Sequence, residues 1–492
     1  TFTQEGAFTT SNSTATIVAG DTLTLSTGST LQTAGSTQLI TGNQLYIEQG
    51  ASVLVGADLD IDLDATRTEQ GDIIEQGDSA SGAILDLVGT TVAERLNINA
   101  YGEADLIFLS GVAENTPTNI SSGSGADKLL IRIVQQESPV NVVSGPGDDT
   151  ILIGSNATWL LDSLPNPTNV DGTLNQISSL VTVDMGDGDG DTLQLDETAE
   201  MSGVQLGYVT NTTIRGLGMN PHADAADATG GIIYGNAEFV HINLGDSDDT
   251  IYVHSTDESA ETTVNTSHNQ MGRNIVNVGS TLSENTSTLD QIAGTLHILG
   301  TAQNDTLNVY DEGDTVPNTG TLSSTTLSGL GIGNGKFVNY YGVESLNLSL
   351  GQSRDTLLIN TTHASPTNVS ANHGDDILQI EEINDNTIVD TGHGSDLVRI
   401  GSSAGSLDEA VRLSTSTVHD SVHSRLELHA GTGLWDQIVV YDSGAQAGRT
   451  GTIQSQKITG LGMAGEIIYQ DFDFARVILG DQGNAFHVQS TH

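Results

Sequence analysis

The chain has 492 residues and carries 63 Asp and Glu against only 14 Lys and Arg, a formal charge of −49. Such acidity repels nucleic acid and anionic membranes, and it repels itself unless divalent cations or high salt neutralise it. No apolar run is long enough to span a bilayer and no signal peptide is evident. The absence of cysteine fits an exported surface protein made rigid by stacking and metal.

Residues 1–95 are Thr/Ser-rich and alternate, as in Thr22-Leu23-Thr24-Leu25 and Leu59-Asp60-Ile61-Asp62-Leu63. They predict short strands and read as degenerate coils of the architecture that follows. Over 96–180 a phrase becomes regular: a glycine-rich turn, an Asp, then an alternating apolar strand, with Asp105, Asp127 and Asp149 each 22 residues apart. The phrase returns at Asp191, Asp249, Asn274, Asp305, Asp355, Asp376, Asp396, Asp436 and Asn484.

One phrase every 20 to 25 residues predicts an all-β fold, a parallel β-helix or solenoid with one coil per phrase and loop insertions. A single coil cannot bury its own apolar face, so coils must stack. About 20 of them at ~4.8 Å each would extend roughly 100 Å. Ile131, Ile151, Ile153, Leu193, Leu195, Ile251, Val253, Leu357, Ile359, Ile377 and Ile380 are the expected inward positions or their neighbours.

A longer repeat divides the remainder into 181–294, 295–425 and a truncated 426–492. Its mark is Gly216-Leu217-Gly218-Met219, Gly329-Leu330-Gly331-Ile332 and Gly460-Leu461-Gly462-Met463. Each block is followed by a tyrosine (Tyr234, Tyr340, Tyr469), by an acid four residues later (Glu238, Glu344, Asp473), and by a glycine seven further on (Gly245, Gly351, Gly480). Insertions such as Pro221 to Thr229 and Leu407 to Ser424 are placed in loops, with one or two helical turns over Leu407 to Leu413. The start at Thr1 and the interrupted last repeat predict a segment of a longer array.

Gly145-Pro146-Gly147-Asp148-Asp149-Thr150-Ile151, with Gly123-Ser124-Gly125-Ala126-Asp127 and Gly392-His393-Gly394-Ser395-Asp396, resembles the glycine/aspartate-rich repeats of RTX, the haemolysin-type calcium-binding family. The phrase occurs here once per coil rather than every nine residues, and Arg354 precedes Asp355. The resemblance implies Ca²⁺ between successive turns, held by Asp127, Asp148, Asp149, Asp187, Asp189, Asp191, Asp246, Asp248, Asp249, Asp375, Asp376 and Asp396. The alternative is that these aspartates cap tight turns through backbone hydrogen bonds.

Other motifs carry less. Gly401-Ser402-Ser403-Ala404-Gly405 matches a nucleophile elbow but sits in a turn context. His419, His423 and His429 lack the glutamate of a zinc motif and read as loop histidines. The three tyrosines read as braces for the insertions.

The expected function is therefore non-enzymatic: a calcium-stiffened building block of a large extracellular surface protein, such as an adhesin stalk, S-layer, sheath or fibre. Its expected partners are copies of itself, neighbouring repeats, or cell-surface glycans, with no nucleic acid and no membrane insertion. The alternative is a β-helix carbohydrate-active enzyme: a polysaccharide lyase, hydrolase or epimerase. Halophilic adaptation is a third account of the acidity.

Overall fold

The computed structural model describes residues 2–490 apart from 5, 10–13, 43, 49–50, 64, 68–72, 77–83, 88–89, 103, 111, 158–170, 202–204, 220–229, 267–271, 283, 301–303 and 420. The expected insertion Pro221 to Thr229 lies outside them. Short strands dominate, and the one α-helix among the described residues is Glu409–Thr415. Asp408 caps it by accepting from the Ala410 N–H at 2.9 Å. The chain divides into two units, Thr1–Asp249 with Ser259–Met271, and Thr250–Glu258 with Gly272–His492.

In the first unit the chain returns to the same sheets pass after pass. Near the N-terminus each pass lays one strand in each of three parallel sheets. Thr22–Leu25 pairs with Gln44–Ile47, Thr30–Thr33 with Ser52–Val55, and Thr37–Thr41 with Asp58–Asp62. Asp58–Asp62 pairs in turn with Arg95–Asn99, and that strand with Thr118–Ser121, so the N-terminal segment joins the regular passes without a break in register.

From there two long parallel sheets continue. Lys128–Ile131, Thr150–Ile153, Thr192–Asp196 and Phe239–Asn243 follow one another in one. Thr118–Ser121, Val140–Val143, Val181–Asp184 and Ile232–Gly235 do so in the other. The second unit repeats the arrangement with Thr356–Ile359, Ile377–Ile380, Leu397–Ile400 and Gln437–Asp442 in one sheet. Its other sheet includes Ser345–Ser349, Thr367–Ser370, Thr387–Asp390 and Arg425–His429.

Period-two alternation makes the core. Leu129, Ile151, Leu193 and Val240 are partners in successive strands, and all are buried. The inward positions lie two and four residues after each turn aspartate: Ile151 and Ile153 after Asp149, Leu378 and Ile380 after Asp376. Ile377 therefore points half outward and its neighbour Leu378 is the core residue. Leu130 and Leu152 face away from that row, yet they too are buried, in a cluster with Phe108 and Ala157.

Outside the core, asparagines are bonded up the sheets. Asn97 donates to Asp60, Asn119 to Asn97 and Asn141 to Asn119, at 2.8 to 3.1 Å. Asn308, Asn347 and Asn368 form a second such row with Asn277.

The turns demand glycine because they stack on each other's backbones. Gly147 has φ 142°, and a Cβ there would lie 1.6 Å from the Gly125 carbonyl oxygen; Gly394, at φ 150°, stands in the same relation to Gly374.

Candidate functional site: a carboxylate ladder and its acidic corners

The aspartate that ends each turn is buried and bonded to the pass before it. Asp127 Oδ1 accepts from the Asp105 N–H at 2.8 Å, Asp149 Oδ1 from Asp127 at 2.8 Å, and Asp191 Oδ1 from Asp149 at 2.7 Å. Each aspartate's own carbonyl receives the next strand's first N–H: Asp105 from Lys128, Asp127 from Thr150 and Asp149 from Thr192. In the second unit Asp355, Asp376, Asp396 and Asp436 accept from Asn318, Asp355, Asp376 and Asp396, at 2.7 to 2.9 Å. A buried N–H that no strand partner reaches is thereby satisfied, and the carboxylates align into ladders.

The acid of the longer repeat belongs to the same device. Glu238 Oε2 accepts from the Asp191 N–H at 3.0 Å, Glu344 Oε2 from Asp305 at 2.7 Å, and Asp473 Oδ2 from Asp436 at 3.1 Å. The residues around it are equally structural. Leu217, Leu330 and Leu461 sit at φ 52°, 53° and 52° between two positive-φ glycines, with buried side chains. That turn follows the second strand of hairpins in which Gly207 faces Gly216, Gly320 faces Gly329 and Gly451 faces Gly460. The three tyrosine hydroxyls donate to the hairpin carbonyls of Thr210, Ser323 and Gln454, at 2.6, 2.5 and 2.7 Å. They brace the hairpins rather than the expected insertions, of which Pro221 to Thr229 lies outside the described residues.

Burial leaves the ladder electrostatically loaded. Desolvation is the first cause in every case, and it pushes Asp127 up to about 7 and Asp376 to about 8, with Asp191 and Asp396 at about 6. Asp149, Asp355 and Asp436 are also raised. Oδ2 of Asp191 and of Asp376 is buried with no hydrogen-bond partner. Ser122, Ser144 and Thr391, each five residues before its aspartate, partly offset the burial of Asp127, Asp149 and Asp396.

Of the expected calcium ligands, Asp127, Asp149, Asp191, Asp376 and Asp396 are thus backbone caps, and buried Asp249 caps Gln205 at 3.1 Å. Exposed Asp148 and Asp375 also cap, accepting from Asp189 and Ser395 of the following pass at 3.2 and 2.9 Å. Ca²⁺ takes six to eight oxygens. The ladder by itself offers one spare oxygen per pass, and turn carbonyls such as Pro146 and Asp187 already accept from Gly125 and Gly147.

Asp187 and Asp189 are different. They are exposed, flanked by glycine, and line an open groove with Asp148, Asn236, Glu238 and Ser259. Asp248 is exposed and Asp246 buried. Among the described residues no three His, Cys, Asp or Glu side chains are disposed to hold a metal ion.

The remaining motifs resolve into local contacts. Ser403 lies in a turn with its hydroxyl 3.3 Å from that of Thr415. His423 pairs with Glu382 and His429 with Glu427, two separate acids. Among the described residues no helix is long and apolar enough to cross a membrane. Compared with known proteins, the chain matches no family model and no curated sequence.

Proposed function

We propose that the chain is a stretch of parallel β-helix, with coils of 20–25 residues, that serves as a non-enzymatic building block of a large extracellular surface protein: a stalk, S-layer, sheath or fibre. One observation carries this reading. The residues that recur are spent on architecture: turn aspartates and the Glu238, Glu344 and Asp473 series cap the neighbouring coil, the tyrosines brace hairpins, and the Gly-Leu-Gly blocks turn the chain. Its partners in this role are neighbouring repeats of the same polypeptide, copies of itself, and Ca²⁺. The ion is placed at the glycine-flanked Asp187 and Asp189 of the groove, where exposed carboxylates on an adaptable backbone can close on a hard cation.

Thermal melts in millimolar CaCl₂, in chelator and in NaCl of matched ionic strength test the proposal. Binding to the folded state alone raises stability with ligand concentration. A rise of about 5 °C or more in Ca²⁺ that NaCl does not reproduce, and that Asp187→Asn/Asp189→Asn reduces, is the expected result. Equal rescue by NaCl would replace calcium by halophilic screening. Release of reducing ends from neutral or acidic polysaccharides would overturn the non-enzymatic role.

A further inference from the structure

The three copies of the long repeat build the same corner beside the hairpin, with different charges. Its first member is the acid six residues after Asp191, Asp305 and Asp436: Glu197, Asp311 and Asp442, all fully buried. A second position lies two residues before the hairpin's first glycine, at Gln205, Asn318 and Arg449. Their N–H groups donate to Asp249, Asp355 and Asn484 at 3.1, 2.7 and 2.9 Å, which confirms the equivalence. A third is contributed by the preceding pass: a Cβ on Gly218, Gly331 or Gly462 would meet Asn175, Asp290 or His419.

In the third copy the corner is neutralised by protein. Arg449 lies 3.3 Å from the Asp442 carboxylate; Asn484 stands where the others have Asp249 and Asp355, and Ala445 where they have Glu200 and Asp314. Arg449 and His419 both favour ionised Asp442 against its burial. The first two copies have the acids without the arginine. Glu197 feels Asp249, Glu200 and Asp196, and burial followed by those charges pushes it up to about 9. Asp311 feels Asp314, Asp355 and Asp290, and burial followed by those charges pushes it up to about 8.

Both oxygens of Glu197 are buried without a hydrogen-bond partner, as is Oδ2 of Asp311. Like charges gathered out of water are costly unless something positive joins them. Where the third copy has an arginine, neutral amides face these acids: Asn318 donates to Asp314, and Asn175 to Glu200 at 2.6 Å. A set so rich in carboxylate oxygen suits a hard divalent ion.

We propose that the first two corners each bind one divalent cation of the Ca²⁺ type, at Glu197, Glu200 and Asp249 and at Asp311, Asp314, Asp290 and Asp355, and that Arg449 replaces the ion in the third. Closure draws the unpartnered oxygens of Glu197 and Asp311 onto the ion. These residues are separate from Asp187 and Asp189, so the groove and the corners succeed or fail independently.

Equilibrium dialysis of the full chain against ⁴⁵Ca²⁺, with melts in Ca²⁺ and in chelator, tests this. The third copy's solution is moved into the second as Asn318→Arg/Asp314→Ala/Asp355→Asn/Asp290→His. The expected variant binds one ion fewer than the parent and melts higher than it in chelator. Glu197→Gln, isosteric and mild, is expected to remove the other ion while leaving any bound at Asp187 and Asp189. Unchanged stoichiometry in folded Glu197→Gln overturns the proposal. So does a change confined to the pH dependence of melting, which would assign protons rather than metal to the corners.

Discussion

Asp376→Ala is expected to destabilise the second unit by about 1–3 kcal/mol at pH 5, the cost of leaving a buried donor unsatisfied. The donor is the Asp355 N–H, 2.7 Å from Asp376 Oδ1. Asp376→Asn is expected to behave oppositely at pH 8, keeping the acceptor while removing a buried charge, and so to match or exceed the parent. The chain already contains such a cap: Asn484 accepts from the Arg449 N–H at 2.9 Å and donates to the Gly480 carbonyl at 2.7 Å. Chemical denaturation of both variants at the two pH values measures this. Equal loss in Ala and Asn at pH 8 would mean that the ionised carboxylate itself is required.

The second large effect is an inverted pH dependence. The ladder aspartates have folded-state values above the ordinary 3.8, reaching about 7 in Asp127 and about 8 in Asp376, chiefly through burial. Between the unfolded and folded values the native chain holds more protons than the unfolded one, so stability falls as pH rises through that window, from about 4 to about 8. Glu197, at about 9, and Asp311, at about 8, extend the same trend. In chelator the melting temperature is therefore expected to be higher at pH 5 than at pH 8, by at least on the order of 5 °C. Calcium should narrow the gap if a cation replaces the protons. A melting temperature that instead rises from pH 5 to pH 8 in chelator would show that the carboxylates are better solvated in the fold than their burial implies.

Much of the architecture was legible because one physical constraint writes it into the sequence. A strand that must pair in register with the strand one pass earlier repeats its aspartate, its glycines and its inward residues at that interval, as Asp105, Asp127 and Asp149 do. The role of those aspartates was less legible, because a cap and a calcium ligand both place Asp after a glycine turn. Only the hydrogen bonds distinguish them.

The acid after each repeat tyrosine was visible as a recurrence, but its function was hidden by chain distance: Glu238 caps a residue 47 positions away. Ile377 is the neighbour of an inward residue rather than inward itself, because an apolar residue occupies the place that Thr150 holds after Asp149. The asparagine row does have a signal in the sequence, the spacing of Asn97, Asn119 and Asn141 at the coil interval, but polar residues on an outward face draw no attention beside the turns. The charge replacement at Arg449 emerges only when the three corners are superposed through their hairpins.

The absence of native cysteine makes the in-register stacking directly measurable. Asn347 and Asn368 are partners in adjacent parallel strands, and the Asn368 side chain reaches Asn347 at 2.7 Å. Neighbouring strands lie ~4.8 Å apart, within disulfide reach. Under mild oxidation Asn347→Cys/Asn368→Cys is expected to close a disulfide, and Asn347→Cys/Val369→Cys, one residue out of register and facing the other side, is not. Efficient closure of the offset pair, or none in the aligned pair, would contradict the in-register parallel strands on which the ladder, the corners and the proposed role depend.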